Sequence, residues 1–230
     1  MATVADLRLA TAENLRWAQR DLTEFFGAYA GADPIELRDA LLEFYPDFVQ
    51  VYGEQGAELA AEFYDEARAA ALASGQYRAS LAPPVPQEQA VGVAKWAIGP
   101  AFEDNWDSAL QQLVGASTRL IQQQGRDTMR WNVDRDPTAV GWRRETRAGS
   151  CQFCRMLADR GGVYSKKSAY FAAHDNCRCV VAPSWDQSAR RSRVPDFKTS
   201  ERTSRMKPAQ REAAKRQVKQ WLADNADKLT

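Results

Sequence analysis

Apolar residues recur at three- and four-residue steps through the first third of the chain. Leu15, Ala18, Leu22, Phe25, Phe26 and Tyr29 form one such stripe, the spacing of an amphipathic helix. Gly31 is the expected stop. Asp33-Pro34-Ile35-Glu36 reads as a helix start. The aspartate can cap, proline suits the first helical position, and Glu36 can reach back to the cap. Pro46 predicts a break or kink, because proline has no N–H and crowds the preceding turn. A third helix is expected beyond it, with Val51, Tyr52, Leu59, Phe63 and Ala67 inward and an end near Ser74-Gly75. Its outer face carries Glu54, Glu58, Glu62, Asp65 and Glu66, which reads as a solvated acidic face.

The Ala82-Pro83-Pro84-Val85-Pro86 stretch predicts a stiff linker. Helical pattern resumes over 87–98 and is interrupted by Gly99-Pro100. A longer helix then places Phe102, Trp106, Leu110, Leu113, Leu120 and Ile121 on one face, with Gly125 closing it. Another helix is expected from Thr128 through Trp131, and Asp136-Pro137-Thr138 as the next turn or cap. The chain divides into an acidic helical region 1–81, a second helical region 82–150, a cysteine and histidine module 151–185, and a basic tail 186–230. In the tail a helix is expected from 208 to about 222, with Ala213, Val218 and Leu222 as a thin apolar stripe. The fold class is mainly α, with a small stapled α+β module and a basic helical tail.

Composition supports a globular chain: 230 residues, 44% hydrophobic and 27% charged. Mean hydropathy is −0.54, and no run approaches the ~18 apolar residues of a membrane span. The N-terminus lacks the basic-then-apolar layout of a secretory signal, so folding in a cytosol is the expectation. Four cysteines are too few for a disulfide scaffold of this length.

The net charge of +1 hides an asymmetry. Residues 1–81 carry 6 basic and 14 acidic side chains, whereas residues 151–230 carry 17 and 8. Within 190–219, 11 basic residues face only Asp196, Glu201 and Glu212. The two ends are suited to different partners, or to each other. Pro195 and the polar run after it predict an extended or disordered start to the tail.

All four cysteines and the single histidine fall within 29 residues: Cys151-x2-Cys154, then His174-x2-Cys177-x-Cys179. Two knots of soft donors are what a zinc site needs. The first pair lies in a turn opening a short helix, 155–159, ended by Gly161-Gly162. Backbone N–H groups there favour thiolates. The second knot leads into an expected strand at Val180-Val181. In extended chain Cys177 and Cys179 share a face while Arg178 points away. Five donors compete for four tetrahedral positions, and Cys179 is the ambiguous one. The reading is a structural zinc. The alternatives are two disulfides formed after lysis, or reduced buried thiols. A catalytic zinc fits poorly, because such sites usually keep an open position and nitrogen or oxygen ligands.

Other constellations favour plain structural roles. Asp134 and Asp136 flank Arg135 and read as a turn with a helix cap rather than an acid pair. Arg143, Arg144 and Arg147 form a basic surface, solvated or touching nucleic acid or an acidic partner. Trp131, Trp142 and Trp185 read as core. No nucleophile elbow, phosphate loop, dinucleotide fingerprint or H-E-x-x-H is present. Neither an enzyme nor a small-molecule substrate is expected.

The segments DPTAVGWRR (136–144), GSCQFCRML (149–157), RGGVY (160–164) and HDNCRC (174–179) followed by Pro183 resemble the Mu F-like minor head proteins of tailed bacteriophages. The likeness is closest to forms from actinobacterial phages and prophages. It is specific over about 126–185 and only general over 1–125. It implies a virion protein made in the host cytoplasm, which joins the prohead near the portal and acts in head morphogenesis. Its partners would be the portal protein and other head proteins, with packaged DNA as a contact of the basic tail. The runner-up is a cellular zinc-ribbon-like nucleic-acid-binding protein, motivated by the same cysteines and the basic C-terminal segment. A cytosolic enzyme with an unrecognised site stands third.

Overall fold

The computed structural model describes residues 3–147, 149–159, 163–164, 171, 173–189, 191–192 and 206–224. Helix α1 (Val4–Gly27) opens with a reciprocal cap: the Asp6 N–H donates to Thr3 Oγ1 and the Thr3 N–H to the Asp6 carboxylate. It buries Leu15, Ala18, Leu22 and Phe26 of the expected stripe, and it stops at Gly27, before Gly31.

Helix α2 (Pro34–Ala70) starts as expected, with Asp33 accepting from the Ile35 N–H at 2.8 Å. It then runs through Pro46 without a break, so the two expected helices are one. The proline costs about 3 kcal/mol in a helix interior. Leu41, Tyr45, Phe48 and Val49 flank it and are all buried, each contributing about 1.5–3 kcal/mol. Packing outweighs the lost hydrogen bond. Val51, expected inward, is exposed, and α2 ends at Ala70 rather than near Gly75.

Helix α3 (Gln87–Ala97) and a 3₁₀ turn (Gly99–Glu103) follow the expected interruption. Phe102 lies in that turn and is exposed, not part of the inward stripe. Helix α4 (Trp106–Arg135) is capped by Asn105, which accepts from the Ser108 N–H at 3.1 Å. It continues through Gly125, so the expected stop does not occur. Gly125 instead marks a close crossing with α2: a Cβ there would lie 2.8 Å from the Gly56 carbonyl oxygen.

The proline-rich stretch is strapped to α4 by three buried polar residues one helical turn apart. Gln124 Nε2 donates to the Ala82 and Pro83 carbonyls at 3.0 and 2.9 Å. Thr128 Oγ1 accepts from the Ala82 N–H at 3.2 Å. Asn132 accepts from Tyr77 Oη and the Ser80 N–H, and donates to the Ser80 carbonyl.

Strands β1 (Gly141–Glu145), β2 (Val163–Tyr164), β3 (Val180–Ser184) and β4 (Arg191–Ser192) form a sheet of order β3-β1-β2-β4. The β1–β3 pair is antiparallel, from Gly141 opposite Ser184 to Glu145 opposite Val180. Short helix α5 (Gln152–Ala158) sits between β1 and β2, and α6 (Pro208–Asp224) follows the sheet. Gly161-Gly162 and the stretch around Pro195 lie outside the described residues. No described helix is long and apolar enough to cross a membrane.

Asp136 joins bundle and sheet. It is fully buried. One carboxylate oxygen accepts from Tyr64 Oη, Arg68 Nε and Trp185 Nε1 at 3.2, 3.0 and 3.1 Å. The other accepts from the Thr138 N–H and hydroxyl at 2.9 and 2.7 Å. It therefore closes a turn, as the spacing predicts, and also clamps α2 to the residue after β3. Burial raises its pKa, but the bonds from Thr138, Trp185 and Arg68 prevail and hold it at about 2.

Three substitutions test this account of the fold. Gly125→Ala should destabilise the protein by about 1–3 kcal/mol in chemical denaturation, because the added methyl meets backbone. Gly92→Ala, on a helix surface with nothing within 4 Å, should stabilise it by up to ~1 kcal/mol. Asp136→Ala should cost about 3–5 kcal/mol by leaving Arg68 buried without its partner. Since the folded pKa lies below the ~3.9 of a free aspartate, this stabilisation is complete above that value. It is lost as pH falls from about 4 towards 2. Thermal melts across that range should converge for wild type and Asp136→Ala.

Candidate metal centre

Two local structures bring the soft donors together. Cys151 is the N-cap of α5, its Sγ accepting from the Cys154 N–H at 3.4 Å. This is the turn that the C-x2-C spacing predicts. The second knot is a tight turn before β3, closed by the Cys177 N–H donating to the His174 carbonyl at 3.1 Å, with Asn176 at φ +62°. That turn is docked on α4. The Asn176 N–H donates to the Gly115 carbonyl, Arg119 pairs with Asp175 at 2.9 Å, and Arg126 holds the strand that follows.

All five predicted donors converge. Cys151 Sγ lies 3.1 Å from His174 Nε2, Cys154 Sγ 3.4 Å from the same nitrogen, and Cys154 Sγ 3.7 Å from Cys177 Sγ. The donors form two overlapping triads, Cys151–Cys154–His174 and Cys154–Cys177–Cys179, each within 4.8 Å. Cys154 belongs to both. All four cysteines are free thiols, three buried and Cys151 exposed. His174 Nδ1 contacts the Asp175 carbonyl at 2.6 Å. With the proton held there, Nε2 is left as the ligand atom.

The donor set fits a metal ion. Bonds of about 2.3 Å to sulfur and 2.0–2.1 Å to nitrogen in a tetrahedron imply donor separations of about 3.4–3.8 Å, the range of the Cys154 contacts. The cluster could hold a metal ion through three thiolates or through two thiolates and an imidazole from either triad.

Two arginines support negative charge there, and neither role was evident in the sequence. Arg126, buried in the middle of α4, donates from Nε to the Cys179 carbonyl at 3.0 Å. Its Nη2 donates to the Cys177 carbonyl at 2.7 Å and to Gln122 Oε1 at 2.6 Å. Arg144, expected on a basic surface, is buried instead. Its Nη1 faces Cys154 Sγ and Cys177 Sγ at 3.8 and 3.9 Å. Strand alternation explains the correction: on β1, Arg143 faces out while Trp142 and Arg144 are buried. Both guanidinium groups lie against the Phe171 ring, at 4.6 and 3.6 Å from its centroid. Trp142 packs on Tyr164 and Phe171 in the same core, as expected of a core tryptophan.

The electrostatics follow from these contacts. Bonds from Cys154 and Cys179, with Arg126 nearby, pull the Cys177 thiol far down. Contacts with Cys177 and Cys179, together with burial, push Cys154 up. Burial raises Cys151, but bonds from Cys154 and His174 hold it below the usual thiol value. Burial works against protonated His174, yet the Asp175 carbonyl and Cys151 raise it. The first thiolate thus forms at Cys177, and a bound cation would draw the protons from the others.

No curated protein and no solved structure gives a significant match to this chain. A family model described as VG15 protein matches residues 1–203, a span that includes the helical bundle, the sheet and all five donors and leaves α6 outside. The chain belongs to the VG15 protein family.

Proposed function

We propose that this VG15-family chain is a non-catalytic minor head protein of a tailed bacteriophage or prophage, stapled by one zinc ion drawn from Cys151, Cys154, His174, Cys177 and Cys179. What carries the reading is that the segments resembling Mu F-like proteins build one module. In it β1 pairs with β3, the α5 cysteines meet His174 and Cys177, and Asp136 ties the module to the helices. A staple of this kind suits a small sheet with little core of its own. The protein would act in head morphogenesis, in the host cytoplasm and then in the virion near the portal. Its contacts would be the portal protein and other head proteins, with packaged DNA as a further contact of the basic tail. The cellular nucleic-acid-binding alternative draws on the exposed Arg211, Lys215 and Arg216 of α6.

Metal analysis of reduced protein should find about one zinc per chain. Cys154→Ser should abolish it whichever fourth ligand serves, because Cys154 lies in both triads. It should also melt the module before the bundle in hydrogen exchange. Zinc-free protein with four freely titrating thiols would refute the staple.

The function is tested by deleting the gene from its phage and by co-purification with the portal protein. Absent, malformed or non-infectious heads and a portal complex are expected. Normal infectious particles, or sequence-selective duplex binding at moderate salt without a portal complex, would favour the alternative.

A further inference from the structure

A cavity of about 20 Å³ lies where α1, α2 and α4 meet strand β3. Leu7, Ile121, Met129 and Val181 give it an apolar wall. Two polar side chains also line it, Asn14 of α1 and Arg126 of α4. They are only 8% and 3% exposed.

Both residues use their other polar atoms elsewhere. Asn14 Nδ2 donates to the Tyr52 carbonyl at 2.9 Å. Arg126 Nε and Nη2 hold the carbonyls of Cys179 and Cys177. What remains is one donor, Arg126 Nη1, and one acceptor, Asn14 Oδ1. Both atoms are buried and have no hydrogen-bond partner among the described residues. A buried polar atom left in that condition costs its full desolvation. Asn14 cannot turn over to relieve it, because a flipped amide would set its oxygen against the Tyr52 carbonyl.

The chemistry of the two atoms selects the occupant. A guanidinium N–H alone would suit a small anion, but the Asn14 oxygen repels one. An apolar occupant would leave both atoms unpaired. The occupant must accept from Nη1 and donate to Oδ1, as water does. The size also fits, since about 10–15 Å³ is enough for one water. Thr11 lines the same cavity. Its hydroxyl donates to the Leu7 carbonyl at 2.6 Å and keeps lone pairs to accept a further bond.

We propose that this cavity binds one structural water, which accepts from Arg126 Nη1 and donates to Asn14 Oδ1, and so tethers α1 to the arginine that holds the Cys177 and Cys179 carbonyls. Asn14 is then a positioning residue for the cysteine turn, acting through Arg126. Its bond to Tyr52 brings α2 into the same network. The site uses no thiol and no metal ion, so it stands or falls apart from the zinc staple and the phage role.

The first test is high-resolution crystallography of the full-length protein, grown once from chloride and once from bromide. Both crystals should show one solvent peak within hydrogen-bond distance of Arg126 Nη1 and Asn14 Oδ1, with no anomalous bromide signal there. The second test compares Asn14→Leu with Asn14→Ser by hydrogen exchange over residues 174–181. Both variants give up the amide bond to Tyr52. Only serine keeps a hydroxyl and room for solvent beside Arg126, whereas leucine fills the space with carbon. Exchange in the leucine variant should be about tenfold faster than in the serine variant, the effect of one unpaired buried donor on local opening. An empty cavity in wild type, a bromide peak, or a direct bond between Arg126 and Asn14 would overturn the proposal. Equal exchange in the two variants would overturn the tether.

Discussion

The close crossing of α2 and α4 governs the arrangement of everything else. At Gly125 the α4 backbone approaches the Gly56 carbonyl so tightly that even a methyl group would collide with it. That approach lets the two longest helices lie against each other, with α1 packed on both. The main core, from Leu15 and Leu22 through Tyr45 to Leu120 and Ile121, is built by the helices alone. A second cluster, from Phe63 and Met129 to Trp142 and Cys154, closes on the module side. A helix glycine usually weakens its helix. Here the loss is offset by the packing it permits.

Helix α4 thereby becomes a beam with separate uses for its rows. Gln124, Thr128 and Asn132 hold the extended strap of residues 77–83 by hydrogen bonds to its backbone. Gly115, Arg119 and Arg126 hold the turn that presents His174 and Cys177. The position of the cysteine and histidine cluster is thus set by a long helix rather than by its own loops. Precision in such a site comes from rigid elements behind it.

Burial of charge is the second organising feature. Asp136 with Arg68, and Arg126 and Arg144 beside the thiols, are all held out of water. An isolated buried charge costs several kcal/mol, so these groups persist because each has partners. For Asp136 the partners are five donated hydrogen bonds. For the arginines they are backbone carbonyls, the Phe171 face and the sulfur atoms, whose own ionisation they favour. Arg126 and Arg144 thus make a thiolate tolerable near Cys177.

Local chemistry determined much of this protein. The cap at Asp33, the stripe on α1, the interruption at Gly99-Pro100, the strand after Cys179 and the helix from Pro208 were all legible, because caps, periodicity and proline geometry act within a few residues. The convergence of Cys151, Cys154, His174, Cys177 and Cys179 was legible for a related reason: two short knots of soft donors have few other uses. Tertiary structure alone decided the rest. Pro46 and Gly125 carry the local signal of a helix end, and burial on both sides overrode it. Asp136 looked like a simple turn residue until Tyr64, Arg68 and Trp185 closed on it from 72, 68 and 49 residues away. Arg144 read as part of a basic surface and Arg126 carried no local signal, and only the meeting of α4, β1 and the turn at His174–Cys177 put them beside the thiols. Local rules report what a residue prefers in isolation. What it does here depends on surface it shares with residues far along the chain, and that surface exists only in the folded molecule.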